Sequence, residues 1–195
     1  TRHAAVWQSQ VLNRVQQTWN WGETLPQISL PSGRSSYGRL ILAGHQGPVT
    51  DVAITPDGHR VVSASRDGTA KVWDARSSEL LHTLAGHAGP VRAVAATVLS
   101  DGPRAVSAAQ DHSLKVWDLE TGKEIATLQG HTGPVHAVAL LPGRRQALSA
   151  SDDRTIRVWD LATGKCVKTL AEGQPFFPIL LLAVTPDEHL VFSGD

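Results

Sequence analysis

Histidine, serine and aspartate recur together in this chain. His45, Ser65 and Asp67 form one set, and His131, Ser151 and Asp153 form a second with the same spacing. A middle set keeps His87 and Asp111 but has Ala109 where the serine stands. These are the side chains of a hydrolytic triad, in which a carboxylate orients an imidazole that takes the proton of a nucleophilic hydroxyl. Their arrangement argues against that chemistry. The sets repeat, whereas an active site is normally built once. Each serine also lies inside a strand-like stretch, with no Gly-x-Ser-x-Gly elbow to expose its hydroxyl. The expectation is a structural role, with no catalytic residue.

Other chemical signals are weak. His82 and His87 are five residues apart, as are His131 and His136, but no cysteine or carboxylate cluster completes a zinc set. No metal or cofactor is expected. Gly122-Lys123 and Gly164-Lys165 fall outside the Gly-x-x-x-x-Gly-Lys-Ser/Thr pattern of a phosphate loop. They suit hairpin turns in which glycine takes a positive φ. Charge is balanced, with 18 basic and 18 acidic residues, which gives no support to a nucleic-acid or membrane-surface binder. No apolar run approaches the roughly 18 residues needed to cross a bilayer. Cys166 is the single cysteine and has no internal partner for a disulfide, so a reducing, cytoplasmic setting is expected.

The elements that position these residues are legible in a longer repeat. Gly44-His45 precedes Trp73-Asp74, Gly86-His87 precedes Trp117-Asp118, and Gly130-His131 precedes Trp159-Asp160. The His-to-Trp separations are 28, 30 and 28 residues, and the first two Trp are each followed 14 residues later by the next His. In the first repeat, Val49, Val52 and Ile54 lead to the turn Thr55-Pro56-Asp57-Gly58. Arg60 to Ser65, Thr69 to Asp74 and Glu79 to Leu84 follow, separated by further turn residues. Four short strands fit this text. The second repeat is two residues longer, in the turn between Val98 and Pro103, and an insertion confined to a hairpin leaves the strands in register. A fourth unit begins at Leu170-Ala171. It has Glu172-Gly173 where Gly-His is expected, and Thr185-Pro186-Asp187 matches Thr55-Pro56-Asp57.

Residues 1–38 stand outside the repeat. Trp7, Val11, Val15 and Trp19 recur every four residues, the spacing of an amphipathic helix. Pro26, Pro31 and Ser32-Gly33 then mark an extended linker. The tryptophan stripe suits packing on a neighbouring domain. The sequence contains no methionine and stops inside a repeat, so it reads as an excerpt of a longer protein.

The Gly-His and Trp-Asp pairs, with their spacing and Asp-Gly turns, resemble WD40 repeats over most of residues 39–170. The resemblance implies an all-β propeller of four-stranded blades around a channel, here incomplete at about three and a half blades. The expected repeats are about 39–80, 81–124, 125–166 and a partial 167–195. The family's internal network implies that Trp73 donates to Ser65, Ser65 bonds His45, and His45 bonds Asp67. Trp159, Ser151, His131 and Asp153 match in full. In the second repeat Trp117, His87 and Asp111 are present, but Ala109 is expected to cost the tryptophan link, worth about 1 kcal/mol.

The resemblance also implies a partner-binding face. It comprises Gln46, Thr50 and Arg66; Ala88, Arg92 and Gln110; and Thr132, His136 and Asp152. These positions vary between repeats while the framework does not. Arg66, Arg92 and His136 offer the most directional contacts. The implied function is a non-catalytic protein–protein interaction scaffold. The alternative is a sensor or autoinhibitory propeller in a larger signalling NTPase or kinase, by analogy with bacterial proteins of that architecture. Remaining blades are expected in the same longer chain, or less readily from other copies.

Overall fold

The computed structural model describes residues 42–171, 181–185 and 191–194, all within one compact unit, Ile41–Asp195. The helix and linker expected over 1–38 lie outside the described residues, as do Glu172-Gly173 and Pro186-Asp187 of the fourth unit.

Each repeat folds into one four-stranded antiparallel sheet with its strands in chain order. Blade one comprises β1 (Val49–Ile54), β2 (Arg60–Ser65), β3 (Thr69–Asp74) and β4 (Leu80–Ala85). Blade two comprises β5 (Val91–Leu99), β6 (Gly102–Ala109), β7 (Leu114–Asp118) and β8 (Glu124–Leu128). Blade three comprises β9 (Val135–Leu141), β10 (Gln146–Ser151), β11 (Thr155–Asp160) and β12 (Cys166–Ala171). A hairpin of β13 (Leu181–Val184) and β14 (Val191–Gly194) continues the series. The fold is the incomplete propeller that the repeats imply.

The blades stack face to face through apolar side chains. Val62, Ala64, Ala70, Val72 and Leu84 of blade one meet Val91, Val94, Ala105, Trp117 and Leu119 of blade two. One repeat later, Val106, Ala108, Leu114, Val116 and Leu128 meet Val135, Val138, Ala147, Trp159 and Leu161. Burial on both faces explains why the central strands read as runs of small and apolar residues rather than a clean alternation. Among the described residues no blade precedes blade one. Val49 and Val52 are accordingly 52% and 42% exposed, whereas Val91 and Val135, equivalent to Val49, and Val94 and Val138, equivalent to Val52, are buried.

Two local features position the candidate site. First, the pairing of each innermost strand with its neighbour skips one residue. Val49 and Asp51 face Ser65 and Ala64 across Thr50. Val91 and Ala93 face Ala109 and Ala108 across Arg92. Val135 and Ala137 face Ser151 and Ala150 across His136. Such bulges bend the strand and re-aim a side chain. Second, β1 packs beside β5 and β5 beside β9, so the three bulges lie on neighbouring strands.

The two extra residues of repeat two lengthen the β5–β6 pair, which continues through Val98 with Pro103 and Leu99 with Gly102. The new tip carries Asp101, whose carboxylate meets Arg145 of blade three at 3.0 Å. The insertion therefore ties two blades together as well as preserving register.

Candidate functional site

In blade one the Trp73 indole Nε1–H donates to Ser63 Oγ at 2.9 Å. The same hydroxyl lies 2.8 Å from His45 Nε2, and His45 Nδ1 lies 2.9 Å from Asp67 Oδ2. Blade two repeats the chain through Trp117, Ser107, His87 and Asp111 at 2.8, 2.7 and 3.0 Å. Blade three repeats it through Trp159, Ser149, His131 and Asp153, each step at 2.7 Å.

The histidines, aspartates and tryptophans stand where the sequence placed them, but the linking serine does not. It is Ser63 rather than Ser65, and Ser149 rather than Ser151. The register gives the reason. Trp73 pairs with Val61, so Ser63 is its diagonal neighbour on the same face of the sheet. A diagonal separation of about 7–8 Å is within reach of an aromatic side chain. Ser65 lies four residues from Val61, roughly 13 Å along the strand. Blade two needs no serine at 109, because Ser107 completes its network. The expectation of a lost tryptophan link there is corrected. The sequence did carry a signal: the serine ten residues before each tryptophan is present in all three repeats, and the one eight residues before is not.

Ser65 and Ser151 do a different job. Each hydroxyl donates to a loop carbonyl, Gly47 O at 3.1 Å and Gly133 O at 2.9 Å, and accepts the backbone N–H of Asp67 or Asp153 at 3.1 Å. They pin the β2–β3 type of turn to the loop before the innermost strand. The aspartates of the Trp-Asp pairs also have a role that the sequence reading passed over. Asp74 accepts from the backbone of Arg76 and Ser77, Asp118 from Glu120 and Thr121, and Asp160 from Ala162 and Thr163. Each closes the hairpin into its outermost strand, a turn in which a short carboxylate stands in for a backbone acceptor. Gly122 and Gly164 take φ 69° in those hairpins, and Ser78 takes 64° in the first.

Proton placement follows from the donors. A carboxylate accepts only, so the imidazole proton sits on Nδ1 and Nε2 accepts from the serine O–H, whose oxygen accepts the indole N–H. Each Asp takes two further backbone donors and one hydroxyl. For Asp153 these are Thr132 N and Thr155 N, both at 3.0 Å, and Thr155 Oγ1 at 2.7 Å. Burial works to raise its pKa, but the hydrogen bonds from Thr155, His131 and Thr132 prevail and bring it down to about 2. Asp67 and Asp111, held the same way, also lie below the ordinary carboxylate value. Burial pushes His87 and His131 down against the pull of their aspartates, which keeps them neutral, as the network requires.

The contacts of Ser63, His45 and Asp67 have the connectivity of a hydrolytic triad, three times over. The serines are nonetheless closed to substrate: Ser63 is 3% exposed and Ser107 and Ser149 are fully buried. An indole N–H already occupies each oxygen. A nucleophile needs an open approach to the reacting carbon, and these hydroxyls have none. The sets hold loops to sheets.

What they hold is the rim. The backbone N–H of Gln46, Ala88 and Thr132 donates to Asp67, Asp111 and Asp153. The N–H of Arg66, Gln110 and Asp152 donates to Pro48, Pro90 and Pro134. Gln46, Arg66, Ala88, Gln110, Thr132 and Asp152 are exposed, while the bulge residues Thr50, Arg92 and His136 are half-buried. The structure joins some of these side chains. Arg92 Nη2 donates to Gln110 Oε1 at 3.1 Å, and His136 Nε2 lies 2.7 Å from Asp152 Oδ1. Thr50 instead donates across the blade boundary to Val91 O at 2.7 Å.

Among the described residues no group of three or more His, Cys, Asp or Glu is placed to hold a metal, and no helix is long and apolar enough to cross a membrane.

The family described as WD domain, G-beta repeat, matches residues 38–74, 78–118 and 122–160, more than half of the chain. The chain belongs to the WD40-repeat family. WD40 repeats form interaction scaffolds, and the family is generally non-catalytic. The chain is 40% identical over 68 residues to a dynein assembly factor with WD repeat domains 1 from Xenopus laevis, which covers 35% of this chain and 16% of that protein. It is 49% identical over 51 residues to a denticleless protein homolog from Gallus gallus, 26% of this chain and 7% of that protein. An mRNA export factor from Danio rerio is 46% identical over 50 residues, 26% of this chain and 13% of its own length. The matched stretch is thus a small part of each relative, as expected when what is shared is one or two blades.

Proposed function

We propose that this WD40 chain is a non-catalytic, cytoplasmic protein-binding scaffold, and that its partner meets the rim formed by the three bulges and the turns beside them. One observation carries the reading. In every blade the same buried network fixes two loop backbones, and the side chains those loops present differ from blade to blade. Gln46, Thr50 and Arg66 become Ala88, Arg92 and Gln110, then Thr132, His136 and Asp152. A stiff frame with variable loops is the usual design of a recognition surface.

The test is affinity capture with the full chain and with the Arg66→Ala, Arg92→Ala, His136→Ala triple variant. A Val167→Ser variant on the outermost strand of blade three serves as the surface control. The expected result is a protein retained by the wild type and the control and lost with the triple variant, at equal melting temperature. Equal capture by all three would refute the assignment of the rim.

A further inference from the structure

The rim is unevenly charged. On blade three the imidazole of His136 and the carboxylate of Asp152 satisfy each other. On blade two the Arg92 guanidinium has only the neutral amide of Gln110 as a side-chain acceptor, and its Nε is buried without a partner. On blade one the exposed Arg66 guanidinium has no partner among the described residues. The carboxylate next to it in sequence, Asp67, is already occupied by His45, Gln46 and Thr69.

The two arginines belong to one strip. The Arg66 N–H is tied to Pro48 O at 3.0 Å, at the start of β1. Two residues on, Thr50 reaches Val91 O, next to Arg92. The turn containing Gly68 also abuts the blade-two loop, where a Cβ on Gly68 would stand 3.6 Å from Gly89 O. The rim therefore offers two guanidinium groups on adjoining blades with unused donors, beside a blade whose carboxylate and imidazole are hydrogen-bonded to each other.

Resting on the assignment of the rim as the binding face, we infer that the partner segment is an acidic peptide that places a carboxylate at Arg66 and Arg92. Guanidinium donors in a planar fork match a carboxylate in two parallel hydrogen bonds, which supplies the acceptors that Gln110 alone does not. A nucleic-acid backbone is disfavoured. It needs a run of cations, and here two arginines are followed by Asp152.

The experiment titrates the full chain with three labelled probes: a Glu/Asp-containing ten-residue peptide, its Gln/Asn counterpart, and a ten-nucleotide oligothymidylate. Amide shift perturbations locate the binding. The acidic peptide is expected to bind at least about tenfold more tightly than the neutral one. Arg66→Ala and Arg92→Ala are each expected to weaken it about fivefold, and Asp152→Ala is expected not to weaken it. Tighter binding of the oligonucleotide, equal binding of the two peptides, or no binding of the acidic one overturns the inference. If the neutral peptide binds equally well and still perturbs Gln46, Ala88 and Thr132, the rim stands and only the charge preference fails. Perturbation elsewhere on the blades refutes both.

Discussion

Ser149→Ala and Ser151→Ala in blade three separate the two roles that serine plays beside the same tryptophan. Removing the Ser149 hydroxyl strips the Trp159 N–H of its acceptor and His131 Nε2 of its donor, both at 2.7 Å. Trp159 is fully buried and the His131 side chain has no exposed surface, so water does not replace the lost hydroxyl. Each of the two orphaned buried groups costs about 1–3 kcal/mol, which puts the substitution at about 2–6 kcal/mol. Ser151→Ala loses a bond to Gly133 O and one from Asp153 N. An alanine already stands at the equivalent Ala109, fully buried in blade two, so the cost there is smaller, about 1 kcal/mol. For a chain of this size the difference corresponds to a melting temperature lower by roughly 5–15 °C for Ser149→Ala and by a few degrees for Ser151→Ala. Thermal unfolding followed by tryptophan fluorescence and circular dichroism reads both. A Ser149→Ala, Trp159→Phe double variant should cost less than the sum of the two single variants, because the indole donor is gone with its acceptor even though the smaller ring leaves a cavity. If Ser151→Ala costs as much as Ser149→Ala, or more, the network drawn from these distances is wrong.

Acid should destabilise the blades in two stages. His87 and His131 are held below their ordinary value of 6.5, so the unfolded chain protonates first and stability starts to fall as pH drops below about 6.5. Asp153 titrates at about 2 when folded against 3.8 ordinarily, so its contribution of about 2 kcal/mol is present above pH 4 and lost between pH 4 and 2; a flat stability profile from pH 7 to 4 would contradict the histidine stage. Arg154 and His112 hold φ of 66° and 68° at the position where blade one has Gly68, so Arg154→Gly and His112→Gly should each stabilise by about 0.5–1 kcal/mol. A fall in denaturation midpoint for both would show that the left-handed turn carries no strain. Ala109→Ser should give blade two the hydroxyl that Ser65 and Ser151 supply elsewhere and raise the unfolding free energy by about 0.5–1.5 kcal/mol; loss of stability would mean that the site lacks room for the oxygen.

The sequence by itself determined the period, the four strands of each blade, and the identity of the histidine, aspartate and tryptophan in each network. All of these are encoded locally, in marker spacing and in the alternation of apolar residues. It also showed which loop positions vary between repeats. Which serine joins the tryptophan was set by strand register: two candidates share one face of β2, and only the pairing of Val61 with Trp73 makes Ser63 the neighbour. The same dependence governs the rim. Only the bulges show why Thr50, Arg92 and His136 stand at equivalent places, and only the folded loops reveal that His136 is paired while Arg66 is not. Likewise, Asp101 meets Arg145 because an insertion in one blade grows toward the next, a contact 44 residues apart that no spacing within a repeat encodes. Residue type and period are properties of the chain, whereas the partner of a polar atom depends on what the packing of neighbouring strands and blades brings within about 3 Å.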